Sequence, residues 1–398
     1  MARRSRLPPQ SAVDLAASAV TISTPQPQPS APSYVSATLL ATYRACPLRA
    51  AYGMDPQWRH LRRSGLRTAL GTAAHAVAAR AGAGMSFDVV WDQETTKART
   101  KLAQEWAPAT PPAVNNWPGA ALTRAKLAKG WKSGRPQHGP TAFVGPSKKL
   151  RTAEASGEVH PPLPWRERWL QPGGSRLAGR PDVVERTDRL RVVDLKTGVW
   201  QQSMTDAQRT QLLFYCRLVQ LDLGELPTRA AVRTADGEEE EIEVRQSEVL
   251  EIERAALRVL DDLQAAAHGA PLEGRPAEDT CATCPFRVAC GPFLEAYQPD
   301  WRCGAVRAGA LVAVPTPGAS PPLAEADVLL PAWAAGRVRL VGFPIPDDAQ
   351  PGEIWAFSDF EGHKGTAMAR WNTVLAPWSE GRVDASDASH GVAVPFSG

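Results

Sequence analysis

The chain is poor in long apolar runs, in net charge and in cysteine, and each shortage removes a class of protein. No apolar run approaches the roughly 18 residues that a membrane-spanning helix needs, so no membrane span is predicted. The net charge is only +3, so a nucleic-acid surface has to come from local basic clusters. Six cysteines in 398 residues, three of them close together, do not make a disulfide scaffold.

Two further features that the sequence lacks, a secretory signal and a P-loop, bear on where the protein is located and on what it can do alone. The basic start, residues 1–6, is followed by a weakly hydrophobic stretch that contains Asp14, so we expect no secretory signal and a cytoplasmic protein. The sequence has no P-loop, so a helicase that works with this chain has to be a separate protein.

Composition divides the chain into four segments. Residues 1–33 are rich in Arg, Ser, Pro and Gln and are predicted to be a disordered leader. Residues 34–304 carry alternating helix and strand patterns and form the main predicted domain. Residues 305–323 are predicted to be a proline-containing linker, and residues 324–398 to be a small, mostly β appendage of open role.

A predicted hairpin at residues 177–197 brings charged side chains together. Its first strand covers residues 177–185 and its second covers residues 190–197, with Val193 and Leu195 facing the core. Side chains alternate along a strand, so Asp194 and Lys196 point the same way, and antiparallel pairing brings Asp182 beside Asp194. Two carboxylates and a lysine suit a divalent cation and a water molecule. The triplet alone is more typical of a salt-bridged surface hairpin, and the rest of the chain decides between the two.

Two predicted helices each present a pair of residues four positions apart, and hence on one face. The first pair is Gly71 and His75 on an alanine-rich helix, where the glycine would allow another backbone to approach closely. On its own, His75 also fits a buried histidine with satisfied hydrogen bonds. The second pair is Gln211 and Tyr215, on a helix that Thr205 or Asp206 caps.

Basic and aromatic residues alternate between positions 117 and 135. Arg124, Lys126 and Lys129 lie close in sequence to Trp117 and Trp131. The pattern fits a groove for single-stranded nucleic acid and fits a solvated helix face equally well.

Three cysteines follow the spacing C-x2-C-x5-C, at Cys281, Cys284 and Cys290. Such spacing indicates a zinc site or a [4Fe–4S] cluster, each of which needs four thiolates. Cys46 is the natural fourth ligand, and Cys303 is the alternative.

These motifs together resemble the RecB-type nucleases of the PD-(D/E)xK superfamily. The resemblance is greatest to the iron–sulfur branch, which includes the CRISPR-associated RecB-like exonucleases and the nuclease domain of AddB. It covers about residues 34–300, and six elements occur in the family's order. They are Cys46, Gly71 to His75, Gly179 to Asp182, Asp194-Leu195-Lys196, Gln211 to Tyr215, and the triplet Cys281, Cys284 and Cys290.

The resemblance implies an α/β fold, with a mixed central sheet flanked by helices, and assigns roles to the residues. His75, Asp182, Asp194 and the Leu195 carbonyl would hold Mg2+ or Mn2+. Lys196 would orient or help to deprotonate the attacking water.

The remaining motif residues receive supporting roles by the same resemblance. Gln211 and Tyr215 would position Lys196 or the DNA backbone, and Glu158 would be a further acidic neighbour. The four cysteines would hold a mainly structural [4Fe–4S] cluster, with zinc as the alternative.

The implied function is a metal-dependent DNA nuclease that acts on single-stranded ends as an exonuclease. DNA repair, recombination and CRISPR or defence processing are all compatible roles. The implied partners are DNA and either a separate helicase or CRISPR adaptation proteins, and no membrane is expected as a partner. The alternative is a non-catalytic nucleic-acid-binding module that has retained the nuclease fold.

Overall fold

The structure is a computed structural model that divides the chain into two compact units. The residues that it describes are 26–80, 84–107, 109–132, 161–196, 203–234, 237–303, 305–314, 321–363 and 365–382. One unit, here called the α/β unit, contains residues 27–275 and 284–286. The other, here called the barrel unit, contains the described residues of 276–283 and 287–382.

Helices and a five-stranded sheet make up the α/β unit. Its described helices are α1 (Ala37–Ala45), α2 (Pro47–Met54), α3 (Leu66–Ala79), α4 (Phe87–Glu105), α5 (Ala120–Lys132), α6 (Asp206–Leu223) and α7 (Gln246–Ala267), with short 3₁₀ turns at Pro56–Leu61 and Val114–Asn116. Its described strands are β1 (Trp165–Arg166), β2 (Val183–Arg186), β3 (Leu190–Lys196), β4 (Arg229–Thr234) and β5 (Glu239–Glu243). None of the helices in the described ranges combines the length and apolarity needed to cross a membrane.

The sheet is mixed, as predicted. Its strands lie in the order β1-β2-β3-β4-β5, and β3 and β4 pair in parallel while the other neighbours pair antiparallel. The parallel pair requires a crossover, which α6 supplies between β3 and β4. This arrangement confirms the predicted α/β class.

Local sequence fixes the ends of the helices beside the sheet. Ser36 caps α1, because its side chain accepts a hydrogen bond from the Leu39 N–H at 3.2 Å. Thr205 caps α6 and forms a reciprocal capping box with Gln208. Gly224 ends α6 in the left-handed conformation, with φ 74°, which glycine adopts without steric cost.

The main core lies between one face of the sheet and α6, which also packs against α1 and α7. Val192 of β3 contributes to this core, whereas Val193 lies in a smaller apolar cluster on the opposite face with Val183 and Ala231. Leu195 packs against this smaller cluster, so the prediction that Val193 and Leu195 face an apolar core is confirmed, although that core is the smaller of the two. A central strand of a mixed sheet is covered on both faces, so alternation along its sequence does not tell the main core from the smaller one.

The first strand of the predicted hairpin is shorter than expected. Regular pairing in β2 begins at Val183 rather than at residue 177, and the preceding residues form isolated bridges. Leu177 bridges Val35 in parallel, and Gly179 bridges Leu170 in antiparallel.

A closed five-stranded barrel dominates the barrel unit. Two short helices, α8 (Glu278–Ala282) and α9 (Gly291–Ala296), precede it, with 3₁₀ turns at Arg287–Ala289 and Ala332–Ala334. The strands are β6 (Val306–Ala313), β7 (Leu323–Leu330), β8 (Gly336–Val341), β9 (Glu353–His363) and β10 (Thr366–Arg382).

The barrel closes in the order β10-β8-β7-β6-β9. Only β8 and β10 pair in parallel among these described strands, and β6 pairs with both β7 and β9. Numbered within the barrel, this order is 1-2-3-5-4, the Greek-key connectivity of OB-type barrels. Many unrelated functions use such barrels, so the topology alone assigns none.

The predicted domain boundaries differ from the observed ones. Strand β6 occupies much of the predicted linker at 305–323, because its small and apolar residues pair with β7 and β9 and enter the barrel core. Most of residues 276–304, which were assigned to the nuclease domain, cluster instead with the barrel unit.

The predicted leader also ends too late. Residues near its end are held against the α/β unit, since Gln28 N–H donates to Asp55 Oδ2 at 2.8 Å and Gln264 Nε2 donates to the Pro32 carbonyl at 3.0 Å. Several predictions lie outside the described residues. They are the leader over 1–25, Glu158, linker residues 315–320 and the tail 383–398. Two more sequence patterns lie there as well, a strand pattern at 154–159 and the basic residues Arg135, Lys148, Lys149 and Arg151 that continue the basic stretch.

Candidate active site

The β2–β3 hairpin brings two carboxylates together. Val183 pairs with Val193, which places Asp182 and Asp194 opposite each other at the next position of the register. Asp182 Oδ2 accepts a hydrogen bond from the Leu195 N–H at 2.7 Å. One carboxylate of the pair is thereby fixed on the backbone of the strand that carries the other.

Asp194 is a buried carboxylate that forms an ion pair with Lys196. The residue is only 2% exposed, and its Oδ2 lies 2.8 Å from Lys196 Nζ, whose side chain is about one-third exposed. Because the ion pair lacks hydrogen-bond geometry, Asp194 Oδ2 has no hydrogen-bond partner among the residues that the structure describes. Burying such a group is costly unless it is paired or coordinated.

The electrostatics of the hairpin reflect an excess of negative charge. Burial raises the pKa of Asp182 to about 7, and repulsion from Asp194 acts in the same direction. The Leu195 N–H opposes this shift, because it stabilises the charged form of Asp182. A bound cation would relieve the same repulsion, so the donor set fits a divalent ion such as Mg2+ or Mn2+.

His75 of α3 faces the hairpin. Burial lowers the pKa of its imidazole, while the charges of Asp194 and Glu167 oppose that shift and Lys196 adds to it. The imidazole is therefore a neutral nitrogen donor at neutral pH. In the described part of the chain, no three His, Cys, Asp or Glu side chains converge closely enough to bind a metal ion as they stand.

Gly71 does not have the predicted role. Within the described ranges, a Cβ atom built on it meets nothing within 4 Å, so no other described backbone approaches this glycine closely. The close approach occurs at Gly179, where a Cβ atom would lie 3.0 Å from Leu218 Cδ1 and 3.1 Å from Tyr215 Cε1. A larger residue at this position would push Leu218 and Tyr215 away from the chain before Asp182, so glycine lets that chain lie close against α6.

Helix α6 carries Tyr215 beside the hairpin. Burial raises the pKa of the Tyr215 hydroxyl, and Asp182 and Asp194 raise it further. Gln211 Nε2 donates to the Tyr215 hydroxyl at 3.4 Å. Gln211 was predicted to position Lys196 or the DNA backbone, and the hydrogen bond that it makes in the structure is to Tyr215.

Glu167 is an acidic neighbour that sequence reasoning missed. Its N–H donates to the Asp182 carbonyl at 2.9 Å, its φ of 45° is unusual for a non-glycine residue, and its carboxylate forms an ion pair with Arg180 at 3.3 Å. The charge of Glu167 contributes to raising the pKa of Asp182. The Pro- and Trp-rich segment around it resembles a loop, and only its pairing with residues 179–184 reveals the neighbour.

The two aromatic residues of the predicted nucleic-acid groove differ in burial. Trp117 is buried and its indole N–H donates to the Pro112 carbonyl at 3.1 Å. Trp131 is half-buried and makes an edge contact with Phe87 at 5.7 Å between ring centroids. Trp117 is therefore a core residue, while the groove stays a prediction for Trp131 and the basic residues near it.

The cysteines divide between the two units. Cys46 and Cys284 belong to the α/β unit, whereas Cys281 and Cys290 belong to the barrel unit. None of the six cysteines, all of which the structure describes, forms a disulfide. Cys216 is fully buried in the core, as its helical position predicts.

Cys46 lies beside the segment that leads into the cysteine triplet. Its Sγ accepts a hydrogen bond from the Arg275 N–H at 3.4 Å. The helix that follows Cys46 also contacts the triplet region, since Tyr52 stacks on Phe286 with 5.5 Å between ring centroids. Among the alternatives for a fourth ligand, Cys303 lies in the barrel unit, where burial raises the pKa of its thiol and Cys281 adds to the shift.

Comparison with known proteins agrees with this fold. The model of the PD-(D/E)XK nuclease superfamily matches residues 34–291, which is more than half of the chain. The chain therefore belongs to the PD-(D/E)XK nuclease superfamily, and membership supports a phosphodiester hydrolase as the class of enzyme.

The other comparisons add little. A search of curated proteins found no match. One similar solved structure is described as "Crystal structure of SSO0001", with 17% sequence identity and a TM-score of 0.25. The similarity covers 57% of this chain and 85% of that one, and at this score it carries no conclusion.

Proposed function

We propose that the chain is a metal-dependent DNA nuclease of the RecB type, which hydrolyses phosphodiester bonds at single-stranded ends as an exonuclease. The observation that carries the proposal is the buried Asp194 carboxylate, opposite Asp182 and 2.8 Å from Lys196. Membership of a nuclease superfamily indicates the class of reaction, hydrolysis of a phosphodiester bond. The two carboxylates and the lysine of this hairpin are the groups that would carry it out.

The cation would lie among the oxygen and nitrogen donors around the hairpin. His75, Asp182, Asp194 and the Leu195 carbonyl would hold Mg2+ or Mn2+, which supplies Lewis-acid polarisation of the scissile phosphate when bound. Support comes from the unpartnered Asp194 Oδ2 and from the raised pKa of Asp182, since both mark uncompensated negative charge.

Lys196 is the side chain of this site that can orient the attacking water. Its ammonium is fixed beside Asp194 at one end and remains partly exposed to solvent. We assign it to orient that water and to offset the charge that grows on the phosphate oxygens. The water oxygen bonds to phosphorus as the bridging P–O bond breaks; the water releases one proton to solvent, and the leaving oxygen receives one from solvent.

Gln211 and Tyr215 act indirectly in this proposal. Tyr215 packs beside Gly179, and the hydrogen bond from Gln211 fixes its hydroxyl. The pair would hold the chain that leads to Asp182 at its distance from α6. Both residues are therefore positioning residues.

The proposal includes an iron–sulfur cluster held by Cys46, Cys281, Cys284 and Cys290, with zinc as the alternative. Support comes from the sequence spacing and from the position of Cys46 beside Arg275. The proposed partners are DNA and either a separate helicase or CRISPR adaptation proteins, and the proposed setting is DNA repair, recombination or defence in the cytoplasm.

The test is cleavage of end-labelled DNA by purified protein with Mn2+. We expect wild type to shorten single strands from an end, and Lys196→Ala to lose activity by about 100-fold or more. Lys101→Ala is the matched control, because Lys101 is a largely exposed lysine of α4 whose nearest carboxylate lies 4.0 Å away. If wild type and Lys196→Ala both bind DNA and neither cleaves it, the protein is the non-catalytic binding module.

A further inference from the structure

Beside the candidate site, one tryptophan keeps half of its surface in solvent. Trp169 is 51% exposed and lies in the segment that pairs with the chain leading to Asp182. Leu170 and Gly179 exchange both backbone hydrogen bonds, at 2.8 and 3.0 Å, and the Glu167 N–H donates to the Asp182 carbonyl. In this register, Trp169 stands opposite Arg180, two residues before Asp182.

The indole is held in place although it is exposed. Trp169 and Tyr34 meet edge to face, with 5.8 Å between ring centroids and 76° between ring planes. Tyr34 is held in turn, because the next residue, Val35, pairs with the backbone at Arg176 and Ala178. A fixed, half-exposed aromatic ring loses little side-chain freedom when a flat ligand stacks on it.

Arg180 places a positive charge opposite Trp169 in this register. The Arg180 side chain is half exposed, and its ion pair with Glu167 at 3.3 Å is of the exposed kind that contributes little to stability. A phosphate can therefore replace Glu167 as the partner of Arg180 at small cost. An aromatic ring and an arginine side by side are the pairing that holds a base and its phosphate in single-stranded nucleic acid.

We propose that Trp169 is a base-stacking residue that holds one unpaired nucleobase of a single strand next to the active site, with Arg180 on the adjoining phosphate. The proposal deepens the proposed nuclease function and rests on it. A base inside a duplex is stacked on its neighbours and presents no free face. Stacking on Trp169 therefore selects single strands and frayed ends over intact duplex.

The test measures binding apart from cleavage. A fluorescein-labelled single strand of about 15 thymidines is titrated with full-length protein in Ca2+, with anisotropy as the readout. We expect Trp169→Ala to weaken binding by about 10-fold and Trp169→Phe by less than about 3-fold, because phenylalanine keeps an aromatic face. The affinity for a blunt duplex should not change in either variant.

Trp333→Ala is the matched control. Trp333 is also a half-exposed tryptophan, at 43%, but it lies in the barrel unit, where its indole N–H donates to the Tyr297 carbonyl. We expect this variant to bind the strand like wild type. Thermal melting of each variant shows whether the fold is retained, and Trp169→Phe tests the role if Trp169→Ala does not fold.

The outcomes separate the two proposals. If Trp169→Ala binds the single strand like wild type, or loses affinity for the duplex equally, the stacking role is refuted even where wild type cleaves DNA. If Trp169→Ala loses single-strand binding but wild type cleaves nothing with Mn2+, the stacking role stands and the nuclease proposal fails. A matching single strand of RNA shows whether the sugar matters to this contact.

Discussion

Adding one methyl group at Gly179 should destabilise the α/β unit, whereas adding one at Gly71 should stabilise it. Both positions are glycines of the motifs around the hairpin, and both substitutions are to alanine. The structure gives them opposite surroundings, because a Cβ atom at Gly179 lies 3.0 and 3.1 Å from two side chains, and one at Gly71 meets nothing within 4 Å.

The magnitudes follow from those surroundings. The neighbours of Gly179 are Leu218 and Tyr215, which are buried and have little room to move, so overpacking should cost about 1–3 kcal/mol. Gly71 lies inside α3, where alanine is favoured over glycine by about 1 kcal/mol. The two substitutions should therefore differ by about 2–4 kcal/mol in the free energy of unfolding.

Urea unfolding followed by far-ultraviolet circular dichroism measures this difference. Gly179→Ala should also lose nuclease activity, because the Tyr215 ring has to move away from the chain that leads to Asp182. Gly71→Ala should keep its activity. A Gly179→Ala variant as stable as wild type, or a destabilised Gly71→Ala, would refute the packing described here.

Three further predictions concern other parts of the fold. Burial alone would raise the pKa of Glu185, but the charges and hydrogen bonds of Arg233 and Arg191 outweigh the effect of burial and lower that pKa. Glu185→Gln should therefore cost on the order of 1 kcal/mol at pH 7 in urea unfolding, and the difference should shrink as the pH falls below about 4. The sign follows because a carboxylate with a lowered folded-state pKa stabilises above its unfolded pKa and loses that contribution on protonation. Thr205→Ala should cost about 1 kcal/mol by removing the cap of α6, and Thr205→Ser should restore most of it; equal stability of all three proteins would contradict the capping. Anaerobically purified wild type should be brown, Cys281→Ser should lose the colour and Cys216→Ala should keep it, while a colourless wild type with stoichiometric zinc would contradict the cluster.

The hairpin was predictable because its charges alternate with apolar residues. Asp182, Asp194 and Lys196 occur at positions that strand geometry alone places on one face, and the structure has Asp182 and Asp194 opposite each other. The caps at Ser36 and Thr205 were equally visible, because a capping side chain acts within three residues of its own position.

Contacts made by tertiary pairing were not predictable in this way. Glu167 reaches the site because residues 165–170 pair with residues 179–184, and the proline-rich sequence around Glu167 carries no strand periodicity. The glycine that permits a close approach was misidentified for the same reason. A sequence shows that a glycine is present, and only packing shows that Gly179 rather than Gly71 has a neighbour within reach.

The limits of the units were also hidden from composition. Strand β6 contains glycine, alanine and valine in a stretch next to prolines, so it resembles a linker until its partners are known. Its pairing with β7 and β9 then shows that it is one of the five strands of the closed barrel.

The central claim is that the β2–β3 hairpin hydrolyses DNA, and Asp194→Asn tests it most directly. Asparagine keeps the shape of this buried side chain but removes the charge that faces Lys196. The measurement is the single-turnover rate at which end-labelled single-stranded DNA is shortened in Mn2+. We predict a loss of about 100-fold or more with the fold retained. A rate within a few-fold of wild type in a folded Asp194→Asn protein would contradict the assignment of the active site.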